Sequence, residues 1–356
     1  MGLNLISKAF SKELILWYLN NKRSLPWRKT KNPYFIWLSE VILQQTRVDQ
    51  GMPYYERFVR RYPTIFHLAK AEEQEVLKQW QGLGYYSRAR NLLQTAKFIA
   101  NERNGIFPDS YRELVKLKGI GDYTASAIAS ICFDEAVAVV DGNVYRVLSR
   151  IFGIDTPVNT SQGHKIFKSL ATELLDSTQP GTFNQALMEF GAVFCKPINP
   201  ECHECVFKTQ CVAFKTDEVE ALPVKLKAKP VRKRYFNYLI LKSTEGSFYM
   251  QKRENGIWKE LWEFALVETD KLVSAKTLAA HQSFISFKQQ FAIDDLYLLS
   301  SETTVHKLSH QHIHARFWMA EASENTEEFF SYQEVLALPL PQLISRFLQL
   351  HSKKIS

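Results

Sequence analysis

The sequence LKGIGDYTASAIASICFDEAVAVVDGNVYR, residues 117–146, decides the fold of the first part of this chain. It opens with a turn that contains Gly119 and Gly121, and small residues then predict a helix from about Asp122 to Cys132. Glycine lets a backbone approach a phosphate closely, and the following helix N-terminus adds its positive dipole end. The stretch therefore predicts either an ordinary connection between helices or a hairpin that grips a phosphate backbone, with Lys118 adding charge.

Two carboxylates stand in unusual contexts. Asp141 follows the apolar run AVAVV and precedes a glycine, which predicts an N-cap for a helix starting near Asn143. Glu40 lies within the apolar segment WLSEVILQQTRV, so a helix would place it either on an exposed face or in the interior. Burial would raise its pKa and let it carry a proton near neutral pH.

Composition bounds the classes of protein to consider. The chain has 356 residues, of which 46% are hydrophobic, and a net charge of +8, so it can bury two or three cores and favours a polyanionic partner, most often nucleic acid. The first 21 residues form an amphipathic pattern without a cleavage site, and no run of about 18 apolar residues occurs. We therefore expect a cytoplasmic protein without a membrane span.

The period of the apolar residues changes along the chain. Helical spacing continues to residue 215, and alternation typical of strands begins after residue 234. This alternation predicts a hairpin around the turn 243–246 and two further strands around a loop near Ser309. The predicted fold class is multidomain, with an all-α region at 1–215 and an α+β domain at 235–356. The linker at 216–234 has six basic residues between Lys225 and Arg234, which suit a solvated tether or a segment that lies along phosphates.

Four of the five cysteines lie within 17 residues, in the pattern Cys-x6-Cys-x2-Cys-x5-Cys: Cys195, Cys202, Cys205 and Cys211. Structural zinc usually uses two close cysteine pairs, and here there is one. The spacing therefore favours an iron–sulfur cluster held by four thiolates over zinc.

The hairpin at about 110–132, the aspartate that follows it and the cysteine loop at 195–211 occur together in the order typical of the endonuclease III superfamily of helix–hairpin–helix DNA glycosylases. Residues 8–215 resemble that superfamily, which implies a six-helix barrel and a 4Fe-4S cluster on the four cysteines. Its bifunctional lyases carry a lysine where this chain has Tyr123, whose side chain has no amine to form a Schiff base. The resemblance therefore implies a monofunctional enzyme.

Within the superfamily, three segments resemble the MutY-type adenine DNA glycosylases: SEVILQQT with Glu40, LPWR at 25–28 and GLGYYSRARNL at 82–92. This resemblance implies a monomer that acts in base excision repair on double-stranded DNA with adenine opposite 8-oxoguanine or guanine. Glu40 would protonate the adenine, and Asp141 would stabilise the oxocarbenium-like sugar. Tyr123 and Asn143 would orient these groups.

The same resemblance assigns residues that bind the substrate. The adenine pocket would be lined by Arg23, Trp27, Arg28 and Gln185. The gap left in the duplex would be filled or flanked by Gln45, Thr46, Leu83 and Tyr85. Gln185 is polar on an otherwise apolar helix, which suits a base contact, and the alternative is that its amide is a satisfied interior group.

The C-terminal domain resembles the Nudix-like domain of this family through GIWKELWEFALVE at 256–268. The glutamate-rich helix of Nudix hydrolases is missing, so phosphohydrolase activity is not expected. The resemblance implies recognition of the lesion strand by Ser309 and His310, with Leu308 in place of the family's phenylalanine. Alternation along strands, rather than a metal site, explains the nearby histidines: His306, His310, His312 and His314.

Two other functions stay open from the residues alone. One is an endonuclease III-type pyrimidine glycosylase and lyase, against which Tyr123 and the C-terminal domain argue. The other is a non-catalytic iron–sulfur module that binds DNA, which would need neither Glu40 nor Asp141.

Overall fold

The chain forms two compact units. The computed structural model describes residues 2–227, 230–300, 302–323 and 326–355. The first unit comprises Met1–Lys70 and Asn91–Lys227, and the second comprises Ala71–Arg90 and Ala228–Ser356. Two residues of the predicted linker, 228 and 229, lie outside the described residues.

The N-terminal region is helical, as predicted. Its helices are α1 (Gly2–Asn21), α2 (Pro33–Leu43), α3 (Val48–Arg61), α4 (Ile65–Ala69), α5 (Glu73–Trp80), α6 (Ser87–Glu102), α7 (Tyr111–Leu114), α8 (Asp122–Phe133), α9 (Gly142–Phe152), α10 (Ser161–Leu174), α11 (Pro180–Glu189) and α12 (Val212–Lys215). Short 3₁₀ turns occupy Pro26–Lys29 and Cys202–Glu204, and a π-helical turn occupies Phe190–Phe194. Throughout the described ranges, no helix has both the length and the apolar character needed to cross a membrane.

Local chemistry sets the start of the helices that carry the site. Helix α2 begins with Pro33 at its first position, and the side chain of Asn32 accepts a hydrogen bond from the backbone N–H of Tyr34 at 2.9 Å. Asp141 caps α9 in the same way, and Gly153 ends that helix with a φ of 65°. The predicted N-cap at Asp141 is therefore present.

The small residues of α8 allow close packing against α11. A Cβ added at Gly181 of α11 would lie 2.6 Å from the carbonyl oxygen of Ser130 in α8, so the two backbones touch almost directly. Helix α8 is buried from Thr124 to Ile131. Tyr123 of α8 and Gln185 of α11 line the same cavity.

The core of the first unit joins the N-terminal helix to the cysteine region. Phe10 of α1 stacks on Phe207 at 4.7 Å between ring centroids, and Trp17 meets Phe190 edge-on at 4.8 Å. Burial of each such ring contributes about 1.5–3 kcal/mol. The loop that contains the four cysteines is thus fixed to the main helical core.

The second unit combines sheets with helices, as the predicted α+β class requires. Its strands are β1 (Arg232–Ser243), β2 (Phe248–Tyr249), β3 (Gln251–Lys252), β4 (Trp262–Glu263), β5 (Ala265–Thr269), β6 (Ile293–Leu298), β7 (Thr304–Lys307), β8 (Gln311–Ala322) and β9 (Phe329–Phe330). Its C-terminal helices are α13 (Ala275–Ala279), α14 (Gln282–Phe291), α15 (Tyr332–Ala337) and α16 (Gln342–Ile355).

The main sheet has the order β6-β8-β1-β2-β9, with β5 paired to β1 and β7 paired to β8. Strands β1 and β8 pair in parallel over their whole length, and the other pairs are antiparallel. The predicted hairpin after β1 is reduced to the single pair Lys242 and Phe248, whereas the predicted β7–β8 hairpin is present.

Residues 71–90 are held in the second unit by specific hydrogen bonds. The ammonium of Lys78 donates to the carbonyl of Leu336 at 2.6 Å, and the amide of Gln81 donates to Ser345 Oγ at 2.9 Å. Trp262 Nε1 donates to Gln74 Oε1 at 2.8 Å. The segment therefore packs with the C-terminal helices of its own unit.

Candidate active site

One cavity of about 170 Å³ in the first unit brings the four predicted catalytic side chains together. Glu40 comes from α2, Tyr123 from α8, and Asp141 and Asn143 from the start of α9. The predicted pocket residues line the same cavity: Arg23, Trp27, Arg28, Thr46 and Gln185. Side chains from α2, α8, α9, α11 and the 3₁₀ turn at Pro26–Lys29 thus line one concave site.

Glu40 is buried, with 8% of its surface exposed, so the exposed-face alternative for this residue is wrong. Burial raises its pKa to about 7, the negative charge of Asp141 adds to the rise, and a hydrogen bond from Tyr123 and the charge of Arg28 oppose it. A carboxyl group with this pKa exchanges its proton near neutral pH, which suits a general acid.

Asp141 lies in a different environment. Its Oδ1 accepts hydrogen bonds from the backbone N–H groups of Asn143 at 2.9 Å and Val144 at 2.8 Å, and its Oδ2 accepts one from Asn143 Nδ2 at 2.8 Å. Burial raises the pKa of Asp141 above its ordinary value, although these three donors and Arg146 oppose the rise. Three hydrogen-bond donors stabilise the carboxylate form of Asp141, whereas Glu40 accepts a hydrogen bond from the Tyr123 hydroxyl. The surroundings of Asp141 therefore favour its ionised form more than those of Glu40 do.

Arg146 is a buried cation that sequence reasoning missed. Its Nη2 donates to Asn143 Oδ1 at 2.9 Å and to the carbonyl of Gly191 at 2.6 Å. Its Nε donates to the carbonyl of Cys195 at 2.8 Å. The guanidinium therefore joins the helix that begins at Asp141 to the cysteine region.

Glu189 is a second residue that the sequence did not reveal. Its side chain is fully buried and accepts forked hydrogen bonds from both Arg23 (2.9 and 2.6 Å) and Arg28 (2.8 and 2.7 Å). Burial would raise its pKa, but the hydrogen bonds from Arg28 and Arg23 lower it to about 2. The two arginines thus line the cavity with their guanidinium groups held by this carboxylate.

Gln185 and Trp27 complete the wall of the cavity. Tyr18, another residue not predicted from the sequence, donates its hydroxyl to Gln185 Oε1 at 2.6 Å. Within the described part of the chain, the amide nitrogen of Gln185 donates no hydrogen bond, which leaves it available to a ligand. Trp27 is buried and contacts Tyr55 edge-on at 5.0 Å between ring centroids.

The predicted hairpin forms the turn before α8. Gly119 has a φ of +75°, and a Cβ there would lie 2.6 Å from Asn91 Cβ, so glycine is required on both counts. Gly121 is the N-cap of α8, and the side chain of Lys118 is exposed. Lys118, Gly119 and Gly121 are thus exposed at the N-terminus of α8.

The other predicted DNA-contacting residues lie in two places. In the first unit, exposed Gln45 has a φ of 56° in the turn after α2, next to Thr46. In the second unit, Leu83 is buried and Tyr85 is exposed. The hydroxyl of Tyr85 donates to Ser309 Oγ at 3.2 Å, and Ser309 Oγ lies 3.3 Å from His310 Nδ1.

The four cysteines of the predicted cluster line one cavity, together with Arg150 and Lys208. The Nη1 of Arg150 lies 3.5 Å from Cys195 Sγ. Among the described residues, no group of three or more histidine, cysteine or acidic side chains converges on a point that could hold a single metal ion. In a 4Fe-4S cluster each thiolate binds a different iron, so cysteines that surround a common cavity fit that group.

Two family profiles match the sequence. The profile of the HhH-GPD superfamily of base excision DNA repair proteins matches residues 38–172, and that of the NUDIX domain matches residues 237–350. The first match contains Glu40, the hairpin and Asp141, and the second contains the main sheet except for the first five residues of β1.

Known proteins are similar to the chain over most of its length. Adenine DNA glycosylase of Buchnera aphidicola subsp. Schizaphis graminum (strain Sg) is 32% identical over 344 residues, which cover 96% of this chain and 98% of the relative. That of Arabidopsis thaliana is 41% identical over 295 residues, 71% of this chain but 46% of the longer relative. The solved structure of a thermostable thymine-DNA glycosylase covers 61% of this chain and 100% of its own, with 28% identity and a TM-score of 0.56.

Proposed function

Because this chain belongs to the adenine DNA glycosylase family, we propose that it removes adenine from double-stranded DNA in base excision repair, where the adenine is opposite 8-oxoguanine or guanine. One observation carries the proposal. A single cavity holds a carboxyl group whose pKa is raised to about 7 and a second carboxylate that accepts three hydrogen bonds. Cleavage of an N-glycosidic bond needs an acid and an anion of these kinds.

The adenine must leave the base stack to reach this cavity, since both carboxyl groups lie inside the protein. Adenine becomes a good leaving group when its N7 is protonated, and Glu40 supplies that proton. Trp27 offers an aromatic surface, and the free amide nitrogen of Gln185 a donor, to the extruded base. Arg23 and Arg28, fixed by Glu189, give the cavity rigid cationic walls.

Asp141 acts on the sugar. As the C1′–N9 bond breaks, its electron pair leaves with the protonated base, and positive charge develops on the sugar ring. The carboxylate of Asp141, directed by Asn143 and the N-terminus of α9, stabilises that charge until water adds to C1′. Tyr123 orients Glu40 through its hydroxyl.

Tyr123 also favours hydrolysis over lyase chemistry. The lyase reaction needs an amine at this position of the hairpin helix to form a Schiff base. Borohydride reduction during turnover traps such an intermediate, so we expect no efficient trapping with the wild-type protein. Trapping at the level of a lyase would favour the endonuclease III-type reaction instead.

We further propose that the four cysteines hold a 4Fe-4S cluster. The cluster would stabilise the loop and supply no step of the reaction. The support is the spacing Cys-x6-Cys-x2-Cys-x5-Cys and the common cavity that the four cysteines line. A broad visible absorbance near roughly 400 nm supports this assignment, whereas a colourless protein loaded with zinc contradicts it.

The DNA backbone would bind at the hairpin, where N–H groups at the N-terminus of α8 donate hydrogen bonds to a phosphate and Lys118 adds charge. Gln45, Thr46, Leu83 and Tyr85 would fill or flank the vacated position in the duplex. Ser309 and His310 would contact the lesion strand. The hydrogen bond between Tyr85 and Ser309 supports a joint role for the last two segments.

The deciding experiment measures adenine release from a duplex with one A·8-oxoguanine pair. We expect the wild type to release adenine, and Glu40→Gln to bind the same duplex with little or no release. A wild-type protein that binds without release would reduce the function to a DNA-binding module. Release of a pyrimidine from a damaged duplex would point to the endonuclease III-type activity.

A further inference from the structure

We propose that one face of the main sheet binds the phosphate backbone of the strand opposite the adenine, through Lys233, His312 and Lys307. These three side chains come from neighbouring strands, β1, β8 and β7. The inference rests on the proposed function, since it extends the contact made by Ser309 and His310. It assigns a DNA-binding role to three residues outside the turn.

The strand register places the three side chains in one row. His312 of β8 is the direct partner of Lys233 in the parallel ladder and of Lys307 in the antiparallel ladder. Direct partners in a sheet point to the same face. With a strand spacing of about 5 Å, the row extends over about 10 Å, which is the rise of about three nucleotides of one strand.

The next row shows why the face accepts an anion. It contains Tyr235, His314 and Val305, and Tyr235 stacks on His314 at 5.0 Å between ring centroids. Neither row contains an acidic side chain. Burial lowers the pKa of His314, and the positive charge of Lys233 lowers it further. The electrostatic effect of the first row thus extends to the second.

The charge of this row is not offset within the sheet. Two lysines flank His312 across adjacent strands, and neither this row nor the next contains an acidic side chain. Among the described residues, none of the three forms an ion pair with a carboxylate. Lys233 and Lys307 are exposed and His312 is half-buried.

The face is open at this end and closed at the other. Trp318 and Ala320, on the same face of β8, are buried in an apolar cluster with α13 and α14. At His312 that covering has ended, and Val305 is 44% exposed. The surface is therefore a solvent-facing continuation of a rigid sheet.

The position of the row favours DNA over an acidic protein. The turn Leu308–His310 joins Lys307 directly to β8, and Leu308 N–H donates to the carbonyl of Gln311 at 2.9 Å. Ser309 and His310 at the tip therefore lie next to the row. If Ser309 and His310 contact a DNA strand, the next phosphates of that strand would lie beside Lys233, His312 and Lys307.

The test measures how DNA affinity depends on salt. Each phosphate contact contributes about 0.9 to the slope of log K against log salt concentration. In a Glu40→Gln background, which keeps the substrate intact, we expect Lys233→Ala with Lys307→Ala to lower that slope by about 2. Between about 50 and 200 mM salt, the parent should then lose about twelvefold more affinity than this variant.

Two controls make the result specific. Lys276→Ala with Lys288→Ala also removes two charges, from exposed positions on α13 and α14, and should leave the slope unchanged. Lys233→Arg with Lys307→Arg keeps both charges and should retain the parental slope.

An alanine variant with the parental slope would overturn the inference and leave an acidic protein as the occupant of this face. The proposed function has a separate readout, because wild-type release of adenine from the same duplex tests it independently. Release with an unchanged slope refutes only the role of the sheet face. Absence of both binding and release refutes the function itself.

Discussion

Arg146 donates a hydrogen bond from Nη2 to Asn143 Oδ1 at 2.9 Å, and Asn143 donates from Nδ2 to Asp141 Oδ2 at 2.8 Å. The same guanidinium donates to the backbone carbonyl of Cys195 at 2.8 Å. The side chains of Asn143 and Arg146 thus connect the Asp141 carboxylate to the cysteine loop by hydrogen bonds.

Asn143→Ala tests this dependence. The variant removes one of the three donors to Asp141 and the side-chain acceptor of Arg146, while the two backbone donors remain. Hydrogen bonds to a charged group contribute about 1.5–3 kcal/mol, so we expect the single-turnover rate of adenine release to fall about tenfold to hundredfold. DNA affinity and visible absorbance, measured in parallel, should change little. A variant with the wild-type rate would contradict the role assigned to Asn143.

Tyr123→Phe should change the pH dependence of the reaction. The hydroxyl of Tyr123 lowers the pKa of Glu40, and the variant removes that effect. The rate depends on protonated Glu40, so it falls as the pH rises through about 7 in the wild type. In the variant this alkaline limb should move to higher pH. Single-turnover rates between about pH 5 and 9 measure the shift, and an unmoved limb would show that Glu40 is not the acid.

Glu40→Gln should stabilise the protein at neutral and alkaline pH. The pKa of Glu40 is about 7 in the folded protein and 4.5 in its ordinary state, so the unfolded chain ionises first as the pH rises. The folded state is thereby penalised between these two values, by about 3 kcal/mol once the pH exceeds the higher one. Glutamine does not ionise, so the variant does not incur this cost. Its amide oxygen can still accept a hydrogen bond from the Tyr123 hydroxyl.

The measurement compares the free energy of unfolding in urea for both proteins at about pH 4 and pH 8. Equal stability at the lower pH and a more stable variant at the higher pH are expected. A constant difference at both values would mean that Glu40 does not titrate with a raised pKa.

Tyr85→Phe and Ser309→Ala should act as one unit. The hydrogen bond between these side chains joins two loops that are proposed to contact DNA, and its loss costs about 1 kcal/mol. We expect the preference for A·8-oxoguanine over A·G to fall about fivefold in each single variant. In the double variant the preference should fall no further than in either single variant. Tyr297→Phe, at an exposed tyrosine of the same unit, is the control. Additive losses would refute the coupling.

The sequence predicted the elements that depend on local chemistry. Helix α8, the N-cap at Asp141 and the β7–β8 hairpin follow from glycines, small residues and alternation within a few positions. The environment of Glu40 did not follow, because periodicity cannot distinguish an exposed stripe from a helix covered on every side. The resemblance to a family, rather than periodicity, gave Glu40 its predicted role.

Long-range pairs account for the remaining gaps. Glu189 lies in an apolar helix end, and its partners Arg23 and Arg28 are more than 160 positions away. The sequence offered one indication of this pair. Two arginines flank the apolar residues LPW, and buried arginines need a carboxylate partner. Strand β8 likewise pairs in parallel with β1 across some 80 residues, which no hairpin pattern can indicate.

The hydrogen bonds of residues 71–90 affect how the protein should be dissected. Cutting the chain at the linker to isolate a glycosylase fragment would remove Leu336, Leu340 and Ser345, which receive hydrogen bonds from Lys78, Tyr86 and Gln81. The fragment would leave these three donors without the partners that hold residues 71–90 in the second unit. Poor activity of such a fragment would report damage to this segment as much as loss of lesion recognition. Separation of the two contributions therefore requires point substitutions in the intact chain.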